Sequence, residues 1–335
     1  MLGAPDISYT QLMSALESAY GLRVRRIDFL PLGADVNTAV YRVVTADGRV
    51  YFMKLRRGAF NEPSVTYPKY LHDQGVQHVI PVLPSDNGGL WTDVREFKLV
   101  LYPFVEGRDA YEVALSERHW LEFGKTLRRI HEMTPAASIL HQLPREAYSD
   151  QWRTTVKALL ERDGAGLDPL AGDMVGFLRS KRDDILHLVE RTEDLTANLK
   201  TQQLELRVCH ADLHAGNLLI GEDGSFHLVD WDTLLLAPKE RDLLFIGAGL
   251  LGGHLQPDKE RDLFFKGYGD TEVSDSALAY FRYERIIQDI AAFGEELLSG
   301  EGDDEDRRQS LHYLKANFLP DGTIDLALRA EQLSR

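Results

Sequence analysis

Apolar positions along this chain change their spacing twice, and each change predicts a different architecture. Over residues 7–20 they recur at Leu12, Ala15, Leu16 and Ala19, a helical interval closed by Gly21. From residue 25 the period shortens. Three β-rich runs, residues 25–30, 39–45 and 50–55, are separated by Pro31-Leu32-Gly33 and Asp47-Gly48, which predicts an antiparallel meander. Residues 97–102 add a further strand, and Pro103-Phe104-Val105-Glu106-Gly107 reads as a connector. Between them, Pro63 and Pro68 interrupt any helix over residues 62–74.

Beyond the connector the helical period returns. Ser116 caps a helix carrying Trp120, Phe123, Leu127 and Ile130 on one face. Residues 150–200 read as helical with a break at Asp163-Gly164-Ala165-Gly166, and residues 237–243 open a helix with Pro238 near its start. Tyr280, Tyr283, Ile287, Ile290, Phe293 and Leu297 stripe a long helix over residues 277–298. The acidic tract 301–306 then reads as a solvated loop before a last helix around residues 308–318. One stretch breaks this helical half: apolar runs at 206–209, 218–220 and 226–229, the last two flanking the turn Glu222-Asp223-Gly224. The pattern predicts an α+β chain, with an N-terminal β-rich lobe over residues 1–104 and a mainly helical lobe over 105–335.

Within that stretch His210, Asp212 and Asn217 stand as H-x-D-x-x-x-x-N, and Asp230 follows the hairpin. Phosphoryl transfer needs little covalent chemistry from a protein. A carboxylate must accept the hydroxyl proton, and hard oxygen donors must hold magnesium against the phosphates. Lys54 ends an alternating strand that aims it to one face.

The segment V-C-H-A-D-L-H-A-G-N-L-L-I, followed by L-V-D-W-D, resembles the catalytic and metal-binding segments of the aminoglycoside phosphotransferases, antibiotic kinases related in fold to protein kinases. The resemblance implies a bilobal protein-kinase-like fold using ATP and Mg2+. It implies Asp212 as catalytic base, His210 as a prop for its loop, and Asn217 and Asp230 as magnesium ligands. It also implies Lys54 on the α- and β-phosphates with an acidic partner, for which Glu62 is the candidate, a phosphate-covering turn at Gly33, and main-chain adenine contacts at Tyr102 and Phe104. Where protein kinases carry D-F-G, this chain has Asp230-Trp231-Asp232, and no A-P-E follows. A protein substrate is thereby disfavoured.

The acceptor implied is a small cationic alcohol, an aminocyclitol antibiotic such as spectinomycin, whose phosphorylation confers resistance. Asp212, Asp232, Asp242, Glu284 and Asp289 would surround its charges, and Tyr283 would offer an aromatic face. Asp242 also reads as a brace for the catalytic loop or as a solvated helix start. Choline, ethanolamine, homoserine and sugar kinases share the core, and a nucleotide-binding pseudokinase is the reading of a different class.

Composition narrows the setting. The 335 residues are 44% hydrophobic and 27% charged, and a net charge of −15 opposes nucleic acid or an anionic membrane as partner and suits a cationic ligand. One cysteine, Cys209, allows no internal disulfide and no cysteine-rich zinc site. No basic-then-apolar N-terminus or apolar run of membrane length is present, so a cytoplasmic enzyme is expected. His131 reads as structural. Gly247, Gly249 and Gly252 spell G-x-G-x-x-G but lack the preceding strand and βαβ unit that a dinucleotide site needs.

Overall fold

The computed structural model describes residues 5–32, 37–248, 251, 253–300 and 302–333. Ser8 opens helix α1 (Tyr9–Tyr20) with a reciprocal cap. Its Oγ accepts the Gln11 N–H at 3.3 Å, and Gln11 Oε1 accepts the Ser8 N–H at 3.2 Å. Gly21, at φ 60°, ends the helix in a left-handed conformation that glycine adopts at little cost. Strands β1 (Val24–Leu30), β2 (Thr38–Thr45) and β3 (Val50–Arg57) form the expected antiparallel meander. Helix α2 (Pro63–Asp73), β4 (Thr92–Val94) and β5 (Phe97–Pro103) follow, and the sheet order is β1-β2-β3-β5-β4.

Side chains alternate across a strand, so β3 separates structure from chemistry. Met53 and Leu55, both 0% exposed, enter a core with Leu12 and Leu16 of α1 and Leu99 of β5. Each such side chain contributes about 1.5–3 kcal/mol on burial. Lys54 and Arg56 stand on the opposite face. There Val65 of α2 packs with Val82 and Val100, bordered by Trp91 and Tyr102.

Helix α2 runs through Pro68, contrary to the expected interruption. Pro63 occupies the first turn, where its missing N–H has no helical acceptor anyway. Pro68 forgoes one bond to Ser64, and the burial of both prolines with Val65, Tyr67 and Leu71 offsets that loss.

The chain continues through β6 (Gly107–Asp109), α3 (Glu117–Glu132), α4 (Ala137–Leu140), α5 (Gln151–Leu160), α6 (Pro169–Ser180) and α7 (Arg182–Leu199). Then come β7 (Leu206–Cys209), β8 (Leu218–Gly221), β9 (Phe226–Leu228), β10 (Leu235–Pro238), α8 (Glu240–Leu243), α9 (Pro257–Tyr268), α10 (Asp275–Ser299), α11 (Asp304–Ala316) and α12 (Thr323–Leu333). Ser116 caps α3 as expected, its Oγ accepting the His119 N–H at 3.2 Å.

Two compact units result. One comprises residues 1–144 and 212–234, the other residues 145–211 and 235–335. In the first, β6-β8-β9 form a small antiparallel sheet. Gly107 is required there because a Cβ would lie 2.3 Å from the Ile220 carbonyl oxygen. In the second, α10 packs against α5, α7, α11 and α12, and the β7–β10 pair is antiparallel.

Further segments differ from the sequence expectation, among them α12, which follows the helix expected to be the last. Ala237 and Pro238 complete β10 rather than open a helix, and α8 is a single turn after them. The acidic tract starts α11: Asp303 Oδ1 accepts the N–H groups of Glu305 and Asp306 at 3.0 and 2.9 Å, and acids in a first turn complement the helix dipole. Gly247 sits in a turn at φ 64°, whereas Gly249 and Gly252 lie outside the described residues. His131 is buried in α3 and Cys209 in β7. Among the described residues no helix is long and apolar enough to cross a membrane.

Candidate functional site

The stretch between β7 and β10 is held in conformations that ordinary residues avoid. Ala211 has φ 69° and Asp230 φ 64°, left-handed values that cost about 1–2 kcal/mol for a residue with a Cβ. Such strain persists where surrounding bonds over-determine the backbone, and it concentrates at functional sites.

For Ala211 those bonds lie in the second unit. Asp242, 1% exposed, accepts the His210 N–H on Oδ2 at 3.0 Å and the Ala211 N–H on Oδ1 at 2.6 Å. Both carboxylate oxygens are therefore committed to the backbone that leads into Asp212. Asp242 therefore ties down the backbone of residues 210 and 211. His210 is itself buried, at 1% exposure.

The first unit carries the rest of the motif. Asn217 closes the 3-10 turn 215–217, and its Nδ2 donates to the Asp212 carbonyl at 2.7 Å. That commitment leaves Oδ1 as the atom the side chain can offer a cation. Val229 N–H donates to the Asn217 carbonyl at 3.1 Å, which ties the loop to the end of β9 and so to Asp230. Asp230 remains half exposed, at 49% of its side chain. An amide oxygen and a carboxylate are the hard donors that magnesium takes.

Lys54 Nζ lies 3.0 Å from Asp230 Oδ1 and 2.6 Å from Asp232 Oδ2. Arg56, on the same face of β3, pairs with the other Asp232 oxygen. Burial opposes the Lys54 charge, but the two carboxylates outweigh it and raise its pKa above the ordinary lysine value. Burial raises the Asp232 carboxyl too. We take it as ionised, because two cations face it. Two cations and two carboxylates thus make a neutral cluster that includes Asp232.

Glu62 does not supply the expected partner. It is exposed at the start of α2, and among the described residues no ion pair joins it to Lys54. The phosphate-covering turn expected at Gly33 lies outside the described residues. Tyr102 and Phe104 border Phe52, with ring centroids 6.2 and 6.5 Å away, and the Arg42 guanidinium lies 5.2 Å over Phe104. Tyr102 is paired in the sheet opposite Phe52.

The remaining expected acceptor residues lie on α10 in the second unit, already engaged. Glu284 is buried against Arg153, itself anchored to the Ser149 carbonyl at 2.9 Å. Burial pushes the Glu284 carboxyl up to about 7, against the pull of Arg153. Tyr283 is 0% exposed and donates its hydroxyl to Glu331 Oε2 at 2.5 Å, so its ring offers no face to a ligand. Asp289 is held by Arg285 one turn earlier at 2.9 Å. Periodicity put these residues on one helix but could not tell an apolar stripe with buried ion pairs from a binding face.

Sequence reasoning missed Arg56, Arg153 and His214. Arg56 was legible from alternation, two residues beyond Lys54. Arg153 was not, because its partner is far away in sequence.

A model of the phosphotransferase enzyme family matches residues 28–280. The structure of spectinomycin phosphotransferase APH(9)-Ia in complex with ADP and spectinomycin is similar at 34% identity and a TM-score of 0.89, covering 98% of this chain and 100% of that one. The AMP-bound complex of the same enzyme is similar at 32% identity and a TM-score of 0.84, with 96% and 98% covered. Protein StrN of Streptomyces griseus is 24% identical over 183 residues, 51% of this chain and 55% of that protein, so the chain spans about half the length of that curated relative. A family match over most of the chain, and an end-to-end likeness to a solved kinase-like enzyme, establish that this chain belongs to the phosphotransferase enzyme family, as an ATP-dependent phosphotransferase.

Proposed function

We propose that the chain transfers the γ-phosphoryl group of ATP to a hydroxyl of a cationic aminocyclitol, with spectinomycin the first candidate. The observation that carries the acceptor is the 34% identity, over 98% of the chain, to an enzyme solved with ADP and spectinomycin. The net charge of −15 favours a cationic ligand by raising its local concentration.

In this reading the acceptor hydroxyl gives its proton to Asp212 as its oxygen attacks the γ-phosphorus, and ADP leaves. Asp242 fixes the backbone entering Asp212, and Asn217 holds the Asp212 carbonyl, so the carboxylate is presented by a loop with little freedom. Lys54 and Arg56 face the phosphates. Their charge is balanced by Asp230 and Asp232 before nucleotide arrives, so phosphate oxygens must displace carboxylates from Lys54. Asn217 Oδ1 and the Asp230 carboxylate would hold magnesium, which neutralises charge on the β- and γ-phosphates.

ADP release measured with spectinomycin, kanamycin, choline and homoserine tests the proposal. Spectinomycin should give the highest kcat/KM. A clearly higher value for choline or homoserine replaces the acceptor, and ATP binding without turnover on any alcohol supports a pseudokinase instead.

A further inference from the structure

His214 lies two residues past Asp212 and has no role in the reaction as derived so far. Its ring caps the 3-10 turn 215–217: the Gly216 N–H donates to Nδ1 at 3.0 Å. A backbone N–H can only donate, so Nδ1 presents its lone pair and the proton of the neutral ring sits on Nε2. That Nε2 lies 3.6 Å from Asp212 Oδ2, both side chains about a quarter exposed at 26% and 25%.

Two neighbours border the ring. Tyr111 stacks on it, with centroids 6.2 Å apart and planes at 26°. The main chain at Tyr111 is held by its N–H, which donates to Asp109 Oδ1 at 2.9 Å. Gly216 leaves the space the ring needs, since a Cβ there would lie 2.8 Å from His214 Cε1 and 3.1 Å from Nδ1. Cap, stack and glycine together fix which nitrogen faces the carboxylate.

We infer that His214 is a positioning residue for Asp212: its Nε2–H draws Oδ2 of the carboxylate and thereby aims Oδ1 at the acceptor hydroxyl. The inference rests on Asp212 being the proton acceptor of the phosphotransferase reaction. A base oriented by a third group is a recurrent catalytic arrangement, and the contact is of the length that tightens when substrate arrives. The imidazole touches neither the nucleotide nor the acceptor in this role and acts only through Asp212.

Two substitutions separate positioning from capping. In His214→Asn the amide oxygen can still accept the Gly216 N–H, as an Asn cap does, but the side chain stops short of Asp212. In His214→Gln the amide nitrogen reaches the place of Nε2 and restores the donor. Positioning predicts that His214→Asn loses about 10- to 100-fold in kcat with both KM values within about threefold, while His214→Gln keeps at least about a third of wild-type kcat. Wild-type kcat in His214→Asn, or an equal loss in both variants, overturns the inference. Wild-type turnover, measured first, separates the two levels: no ADP release from the wild type sinks the phosphotransferase reading itself. The ring is tested independently of activity by its 15N chemical shifts. A protonated Nε2 whose signal moves in Asp212→Asn supports the inference, and a protonated Nδ1 or an unmoved signal refutes it.

Discussion

Replacing Glu284 by glutamine removes one charge from a pair enclosed by α10 and α5. The Glu284 carboxyl is raised from 4.5 to about 7, burial being the largest cause, and the Arg153 side chain facing it is 3% exposed. An upward shift of that size corresponds to about 3 kcal/mol of folding free energy, at 1.36 kcal/mol per pH unit. The folded pKa lies above the unfolded one. Between pH 4.5 and 7 the folded chain therefore retains a proton that the unfolded chain has released, and the stability contributed by this residue falls as pH rises. Glutamine does not titrate. Its amide oxygen can still accept from Arg153, so the variant keeps the hydrogen bond and has no slope from this residue. Urea unfolding of both proteins at intervals from pH 4 to 8 isolates the effect. The wild-type unfolding free energy minus that of Glu284→Gln should fall by about 3 kcal/mol across this range. A difference that stays flat, or that rises with pH, would mean that attraction to Arg153 equals or exceeds the cost of burial, and the reasoning would fail.

Asp212→Asn should lower kcat by about a thousandfold or more with ATP affinity within a few-fold, because the residue receives a proton without carrying nucleotide; retention of a tenth of the rate in steady-state assays would remove Asp212 as the base. Asp230→Ala should abolish the magnesium dependence of ATP binding seen by titration calorimetry, and an unchanged dependence would exclude it as a metal ligand. Asp242→Ala deletes two charge-assisted bonds to buried backbone, each contributing about 1.5–3 kcal/mol, and should lower unfolding free energy by roughly 3–5 kcal/mol. Loss below about 1 kcal/mol would show the brace to be replaceable.

Much of this site is local, which is why it was legible. Asp212, Asn217 and Asp230 lie close together in sequence, joined by a short hairpin, and Lys54 is placed by strand alternation alone. What escaped depends on tertiary placement. Nothing local to Glu62 shows that Lys54 will face Asp232, whose carbonyl also receives Asn61 Nδ2 at 3.4 Å. Pro68 argued against a helix that burial then sustained, and the acids at residues 303–306 read as loop because a charge run and a helix N-terminus share one composition. On α10 the stripe was correctly placed, but the contacts of Tyr283, Glu284 and Asp289 with Glu331, Arg153 and Arg285 are visible only once the helices pack.

The order in which the chain builds its two units bears on its synthesis. The first unit is not complete at residue 144: it reclaims residues 212–234, and β6 finds its neighbour β8 only after the helices α5 to α7 have been made. A ribosome therefore releases the N-terminal sheet well before the hairpin that finishes it, and the second unit waits on residues up to the C-terminal helices. Loop closure over such a separation slows folding, and the nascent chain must carry unpaired strand edges while it waits. A fragment ending near residue 144 would lack the Phe226 that stacks on His119 and meets Phe123. Adding residues 212–234 as a separate peptide is then the experiment in which complementation, rather than truncation, reveals where this fold divides.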